Sequence, residues 1–185
     1  MKKVVLAALI TLSTTALCAR ELAVFPIATD ADYCLGAGVA LLGGYGNYTK
    51  GEASAMYGVE FSMACPLLQL ETLDIKQQIS LVNYSFNGLN TLSLEFNPHL
   101  MFDINNKLQF GVGPGFGILL ANPENGDSAT SLTVALGASL NYNVTRTMYL
   151  GLESRYQWVE KAEFATDVKT NLDNHRTLLK VGMHF

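Results

Sequence analysis

Apolar residues recur at every second position along most of this chain, and the longest such run spans residues 92–102. There Leu92, Leu94, Phe96, Pro98, Leu100 and Phe102 alternate with Ser93, Glu95, Asn97, His99 and Met101, and Asp103 follows on the polar side. A period of two is the side-chain repeat of a β-strand. Asn105-Asn106 reads as a tight turn, because Asn tolerates positive φ. Beyond it Leu108, Phe110, Val112, Pro114, Phe116 and Ile118 alternate with Gln109, Gly111, Gly113, Gly115 and Gly117, which predicts a hairpin of two long strands. The same repeat predicts six more strands, at 35–45, 55–64, 71–86, 132–142, 148–160 and 176–185. Pro66 ends the second of these. The third loses phase, with Tyr84 and Phe86 on the wrong parity, so a β-bulge is expected near Asn83.

One face of these strands is apolar throughout, and the other carries glycines, small polar residues and a few charges. A wall between lipid and a crowded polar interior requires that division. After residue 19 no run reaches the roughly 18–20 apolar residues that a membrane helix needs, so a crossing has to be made by a closed barrel. The predicted fold is all-β: an eight-stranded antiparallel up-and-down transmembrane β-barrel. A secreted lipocalin would show the same alternation with its faces reversed, but its water-facing side would be rich in Lys and Glu. Connections after the fourth and sixth strands are about two residues, whereas 122–129 and 161–174 are longer and polar. Short turns face the periplasm in such barrels, which predicts periplasmic termini. Tyr57, Tyr84, Phe86, Tyr156 and Trp158 then form an outer aromatic girdle, and Phe102, Tyr142 and Phe185 an inner one.

Composition sharpens this picture at three points. The chain of 185 residues is 49% hydrophobic with a formal charge of −4 and has no basic patch, which argues against nucleic acid as a partner. Its first residues, basic Met1-Lys2-Lys3 followed by apolar 4–12 and Ala16-Leu17-Cys18-Ala19, form a secretory signal peptide. Residues 1–19 are thus expected to be removed after Cys18 or Ala19, leaving 20–185 as one barrel domain. Lipidation of Cys18 is the alternative, although Leu17 is bulky where a lipobox has a small residue. Residues 20–33 have no pattern and are read as irregular. Finally, Cys34 and Cys65 share an oxidising compartment and fall at the same end of adjacent strands, which favours a disulfide. Their opposite parity argues against one, and the sequence leaves the pairing open.

Charges on the inward parity are Glu60, Asp74, Glu95, Asp103 and Glu153 against Lys76, Arg155, Arg176 and Lys180. An eight-stranded barrel is just wide enough to be filled by its own side chains, and buried charges persist when paired and hydrogen-bonded. A structural polar plug is therefore expected. The sharper alternative is a narrow ion path gated by Glu153 with Arg155 or Arg176. His99, His175 and His184 are isolated, and no Cys/His spacing suits a metal.

A signal peptide, eight amphipathic strands and a last strand ending in Leu179, Val181, Met183 and a terminal Phe185 resemble the OmpA transmembrane-domain and opacity-protein superfamily of small outer-membrane barrels. The resemblance spans essentially the whole chain after the signal. It implies a Gram-negative outer membrane with its lipids and lipopolysaccharide as surroundings. It also implies that the barrel-assembly machinery reads the terminal run, and that host or cell-surface ligands meet the outer loops. It implies no cofactor. Because the sequence stops at the eighth strand, no peptidoglycan-binding domain is expected, and the loops are short for an opacity adhesin. Some barrels of this size modify lipid A with a nucleophile and base displayed toward the outer leaflet. Here His99 and His184 have inward parity, and His175 lacks the neighbouring serine pattern of those deacylases. The expected function is a non-enzymatic structural or surface-interaction role, with a small-solute or ion pore and a lipid A-modifying enzyme as alternatives.

Overall fold

The structure is a computed structural model and describes residues 22–31, 33–48, 53–70, 73–86, 88–124, 126–160, 162–163 and 169–185. The predicted signal peptide lies outside these, as does part of the 161–174 connection. In chain order the elements are β1 (Leu22–Val24), α1 (Pro26–Thr29), β2 (Gly38–Tyr48), β3 (Ala53–Ala64), β4 (Leu68–Leu70), β5 (Asp74–Phe86) and β6 (Leu89–Asn105). They continue with β7 (Leu108–Pro123), β8 (Ala129–Asn143), β9 (Met148–Val159), β10 (Ala162–Glu163), β11 (Lys169–Thr170) and β12 (Asn174–His184).

Eight of these strands close a barrel in the order β12-β2-β3-β5-β6-β7-β8-β9, each antiparallel to its neighbours. The closing seam runs from Asn174 against Tyr48 to His184 against Gly38, so no strand edge is left open. Strand lengths run from 11 residues in β2 and β12 to 17 in β6, at least the roughly 9–11 that a tilted strand needs to cross a bilayer. No helix among the described residues is long and apolar enough to do so.

Alternation translates into burial as the pattern requires. Leu41, Tyr57, Val59, Leu94, Phe116, Leu132, Leu136, Leu152, Leu179 and Val181 are exposed on the outer wall, while Glu60, Glu95, Glu153, Arg155, Arg176 and Lys180 are buried inside. This inverted arrangement excludes the lipocalin alternative, whose interior would be apolar. In water a continuous apolar belt of this kind would drive association; in hydrocarbon it is the stable face. The fold is a transmembrane β-barrel.

Two local expectations need correction. The β3–β5 and β5–β6 registers run unbroken past Asn83, from Met56 against Tyr84 and from Asp74 against Met101 to Phe86 against Leu89, so no bulge lies there. Val82 and Tyr84 simply point inward and are buried. The register shift falls instead between Asp103 and Asn105, where Ile104 is the extra residue beside the β6–β7 turn. Asn105 does not take positive φ. Its side-chain oxygen accepts from the Lys107 and Leu108 amides at 2.9 and 3.0 Å, an Asx-type device that places the turn at Asn106-Lys107.

Part of the stretch read as irregular, 20–33, forms regular elements. β1 pairs with β4 from the β3–β5 connection, Leu22 against Leu70 and Val24 against Leu68. The single-turn α1 follows Phe25, whose φ is +54°. Together they stand at the barrel end where β2 begins and β12 ends.

Candidate functional site

The barrel interior has three layers between the end where β2 begins and β12 ends, called the terminal end, and the opposite, loop end. Inward glycines make room for its large side chains. A Cβ on Gly113 would lie 1.9 Å from the Pro98 carbonyl oxygen, and one on Gly137 would lie 3.1 Å from Nε of Arg155. The glycine stripe of β7 thus seats Glu95, Asn97 and His99 of β6, which point into the lumen beside it.

The middle layer is ionic. Arg155 donates to Glu95 at 2.6 Å and contacts Glu153 at 2.5 Å, and Lys180 donates to Glu60 at 2.5 Å. Arg176 also pairs with Glu95, and Lys180 with Glu153. The six groups form one chain of alternating sign: Arg176, Glu95, Arg155, Glu153, Lys180, Glu60. Three cations balance three anions, and all six are buried. Neutral donors complete the Glu95 carboxylate, with Gln157 Nε2 at 2.7 Å and Ser93 Oγ at 2.7 Å. Asn174 Nδ2 in turn donates to Gln157 Oε1 at 2.8 Å. A carboxylate served by two guanidinium groups and two neutral donors satisfies the condition under which buried charge is tolerated.

Of the nine interior charges read from sequence, these six are brought together and three are not. Asp74 and Asp103 are exposed at the terminal end, where Asp103 accepts from Gln109 Nε2 at 2.8 Å. Their parity was right, but they sit beyond the enclosed length of the lumen. Lys76 is half-buried at the same lip, with Nζ 5.6 Å from the Tyr149 ring centroid. Glu153 pairs with Arg155, as the gating alternative supposed, but Arg176 belongs to Glu95.

The loop-end layer is apolar and went unread in the sequence. Leu42, Tyr48, Met56, Val82, Tyr84, Leu119, Val159, Leu172 and Leu178 pack into one buried cluster. Tyr48 stacks on Phe86 with ring centroids 4.0 Å apart. Tyr84 and Phe86 therefore belong to an internal cap, not to the outer girdle; Tyr156 and Trp158 do face outward and touch each other. Leu172, 1% exposed, reaches the cluster from the β9–β12 connection, and Asp173 Oδ1 anchors that connection by accepting the Val159 amide at 2.7 Å. Parity could have identified Gln157 and Asn174, which share the face of Arg155 and Arg176. Leu172 lies outside any repeat and carries no such signal.

At the terminal end the lumen opens into a cavity of about 920 Å³ lined by Lys76, Met101, Gln109, Asn143 and His184 from the barrel and by Pro26, Tyr33 and Cys34 from the segment before β2. His184 stacks on Tyr149, and His99 is buried with Nδ1 3.2 Å from Ser139 Oγ. Cys34 is exposed, Cys65 is buried, and both are free thiols in this structure; no bridge joins them here. Among the described residues no cluster of His, Cys, Asp and Glu is arranged to hold a metal.

On the outer wall Leu179, Val181, Met183 and Phe185 are exposed side by side along and just beyond β12. The same wall holds a contact that sequence spacing did not reveal. His175 of β12 and Ser154 of β9 are both exposed, and His175 Nε2 lies 2.9 Å from Ser154 Oγ. They are 21 positions apart in sequence and meet only because β9 and β12 are neighbours.

A closed, filled, eight-stranded antiparallel barrel with an apolar outer wall belongs to the structural class of small transmembrane barrels. Solved structures of that class superpose on it. The chain is similar to Neisserial surface protein A, with TM-score 0.61 and 14% identity over 80% of this chain and 96% of that one. It is also similar to the N-terminal β-barrel domain of Pseudomonas aeruginosa OprF, with TM-score 0.50 and 15% identity over 80% and 97%. A third is Ail of Yersinia pestis in complex with the heparin analogue sucrose octasulfate, with TM-score 0.50 and 12% identity over 81% and 97%. No protein-family model and no curated protein matches the sequence.

Proposed function

We propose that this chain is a non-enzymatic integral protein of the bacterial outer membrane, with both termini periplasmic, whose barrel is a sealed scaffold for surface interaction at its loop end. The filled lumen carries the reading: among the described residues the ionic chain from Arg176 to Glu60 spans the middle of the interior and an apolar cluster caps it at the loop end. A pore would need a hydrated route, and all six charged side chains across the middle of this one are already in ion pairs.

Several features support the location. The apolar belt fits hydrocarbon, the exported leader at 1–19 fits a cell-envelope destination, and the exposed run Leu179, Val181, Met183 and Phe185 fits recognition by the barrel-assembly machinery. Lipids and lipopolysaccharide are then the immediate neighbours. Ail's sulfated ligand does not transfer directly, because the connections 122–129 and 161–174 hold five acidic residues against two lysines. A cationic or neutral partner suits that surface better than a polyanion. Membrane fractionation with heat-modifiable gel mobility tests the reading: the folded species should reside in the outer membrane and migrate faster before boiling.

One observation favours a second reading, a lipid-modifying enzyme. Ser154 and His175 place a hydroxyl within hydrogen-bond reach of an imidazole on the lipid-facing wall, the relation of a nucleophile to its base. This one pair is all that favours the enzyme, so the non-enzymatic reading stands first. Lipid A masses from cells expressing the chain decide between them. Unchanged masses uphold the scaffold, whereas loss of an acyl chain that Ser154→Ala abolishes would establish the enzyme.

A further inference from the structure

The two cysteines conflict in parity when β2 and β3 are extended in register, and the structure removes the conflict. From Asn47 against Ala53 to Gly38 against Ser62 the two strands keep one register. Continued unchanged, that register would set Gly36 beside Ala64 and Leu35 beside Cys65. Instead Gly36 takes φ +50°, a conformation open to glycine. The Ala64 amide then donates to the carbonyl of Leu35 at 2.8 Å. The chain has slipped by one residue, as at a β-bulge. That hydrogen bond sets Leu35 opposite Ala64, so the chain at Cys34 runs on toward Cys65.

A second contact fixes the approach. The Tyr33 hydroxyl donates to the carbonyl of Ala64 at 2.9 Å, holding the residue before Cys34 against the residue before Cys65. The Tyr33 phenol is pushed above its ordinary value, chiefly by burial and then by the proximity of Cys65 and Cys34. In antiparallel pairing, residues flanking a hydrogen-bonded pair have Cα atoms about 4.5 Å apart, within the roughly 4.4–6.8 Å that a disulfide spans.

We propose that Cys34 and Cys65 form a cross-strand disulfide that clasps residues 22–33 over the cavity at the terminal end of the barrel. Exposed Cys34 reacts first: its thiolate attacks the disulfide of a thiol–disulfide oxidant, forming a mixed disulfide and releasing one thiol. The Cys65 thiolate then attacks the Cys34 sulfur and releases the second thiol. The pair loses two electrons and two protons, and the oxidant's disulfide is reduced to two thiols. In the clasped form Pro26, Tyr33 and Cys34, which line the cavity mouth, can no longer swing away from β3.

The clasp rests on the exported location only for its oxidant, so two arms separate the two ideas. In the first, the full chain folded in detergent is exposed to oxidised glutathione, and peptides are mapped without reduction. A peptide containing Cys34 joined to one containing Cys65 is expected, and neither thiol should then alkylate. Cys34→Ser, a change at an exposed site, should abolish the link while leaving heat-modifiable mobility intact. Two alkylatable thiols after oxidation, or links between chains only, would overturn the proposal. In the second arm the same map is made from unreduced membranes. The link found in detergent but absent from membranes would overturn the exported location and leave the cross-link standing. Chymotrypsin supplies the conformational readout: cleavage after Tyr33 should accelerate several-fold on reduction, and an unchanged rate would overturn the clasp.

Discussion

Glu95 is the residue on which most of the interior converges. Its carboxylate serves Arg155 and Arg176 and accepts from Gln157 and Ser93. Breaking a buried pair by removing one partner costs about 3–5 kcal/mol, because the remaining charge is left uncompensated. Glu95→Gln leaves two guanidinium groups with one fewer anion and should destabilise the folded barrel by about that amount. Urea titration in lipid vesicles, followed by the fluorescence of the single tryptophan Trp158, measures it; a change near zero would mean that the ion chain is dispensable. A second test at this scale is Gly113→Ala. The new methyl would meet the Pro98 carbonyl oxygen at 1.9 Å, a backbone atom that cannot rotate aside, so the compact heat-modifiable species should largely disappear. The parity of all six paired charges was legible in the sequence, since a period of two sorts faces without knowledge of partners. The partners were not. Glu95 and Arg176 lie 81 positions apart, and only the closure of the barrel brings them together.

At the scale of elements, alternation predicted eight strands in the right order and with the right outward faces. It failed where its premise failed. Assigning every apolar residue to lipid put Tyr84 and Phe86 outside and invented a bulge at Asn83, whereas the loop end of the lumen is itself apolar and takes Val82 and Tyr84 without any break in β5. The real shift at Ile104 sits against a turn, where a one-residue slip leaves no mark on the repeat. The short elements β1, α1 and β4 were illegible because three or four residues are too few to show a period. Connections matter energetically too. Leu172, outside any strand, fills the cap, and Leu172→Ala should lower stability by about 2–3 kcal/mol, near the lower end for a buried leucine because loop backbone can partly collapse into the space. The same urea titration reads it, and an unaffected midpoint would show that the connection does not plug the barrel.

For the whole molecule, two features determine behaviour: a wall that is apolar outside, and a lumen that the described side chains fill with an ionic chain across its middle and an apolar cluster at the loop end. The filled lumen predicts that purified protein in a planar bilayer adds no steady conductance above the bare membrane, whereas discrete, reproducible openings would restore the ion-path alternative. The apolar wall is tested most directly by spin labels placed one at a time at Leu94 and Leu136, with native cysteines replaced, in protein reconstituted into phospholipid vesicles. Both residues face outward from the middle of long strands. Labels at both sites should collide readily with dissolved oxygen, which concentrates in hydrocarbon, and poorly with a water-soluble nickel chelate; the opposite preference at both sites would contradict the placement of this wall in a membrane.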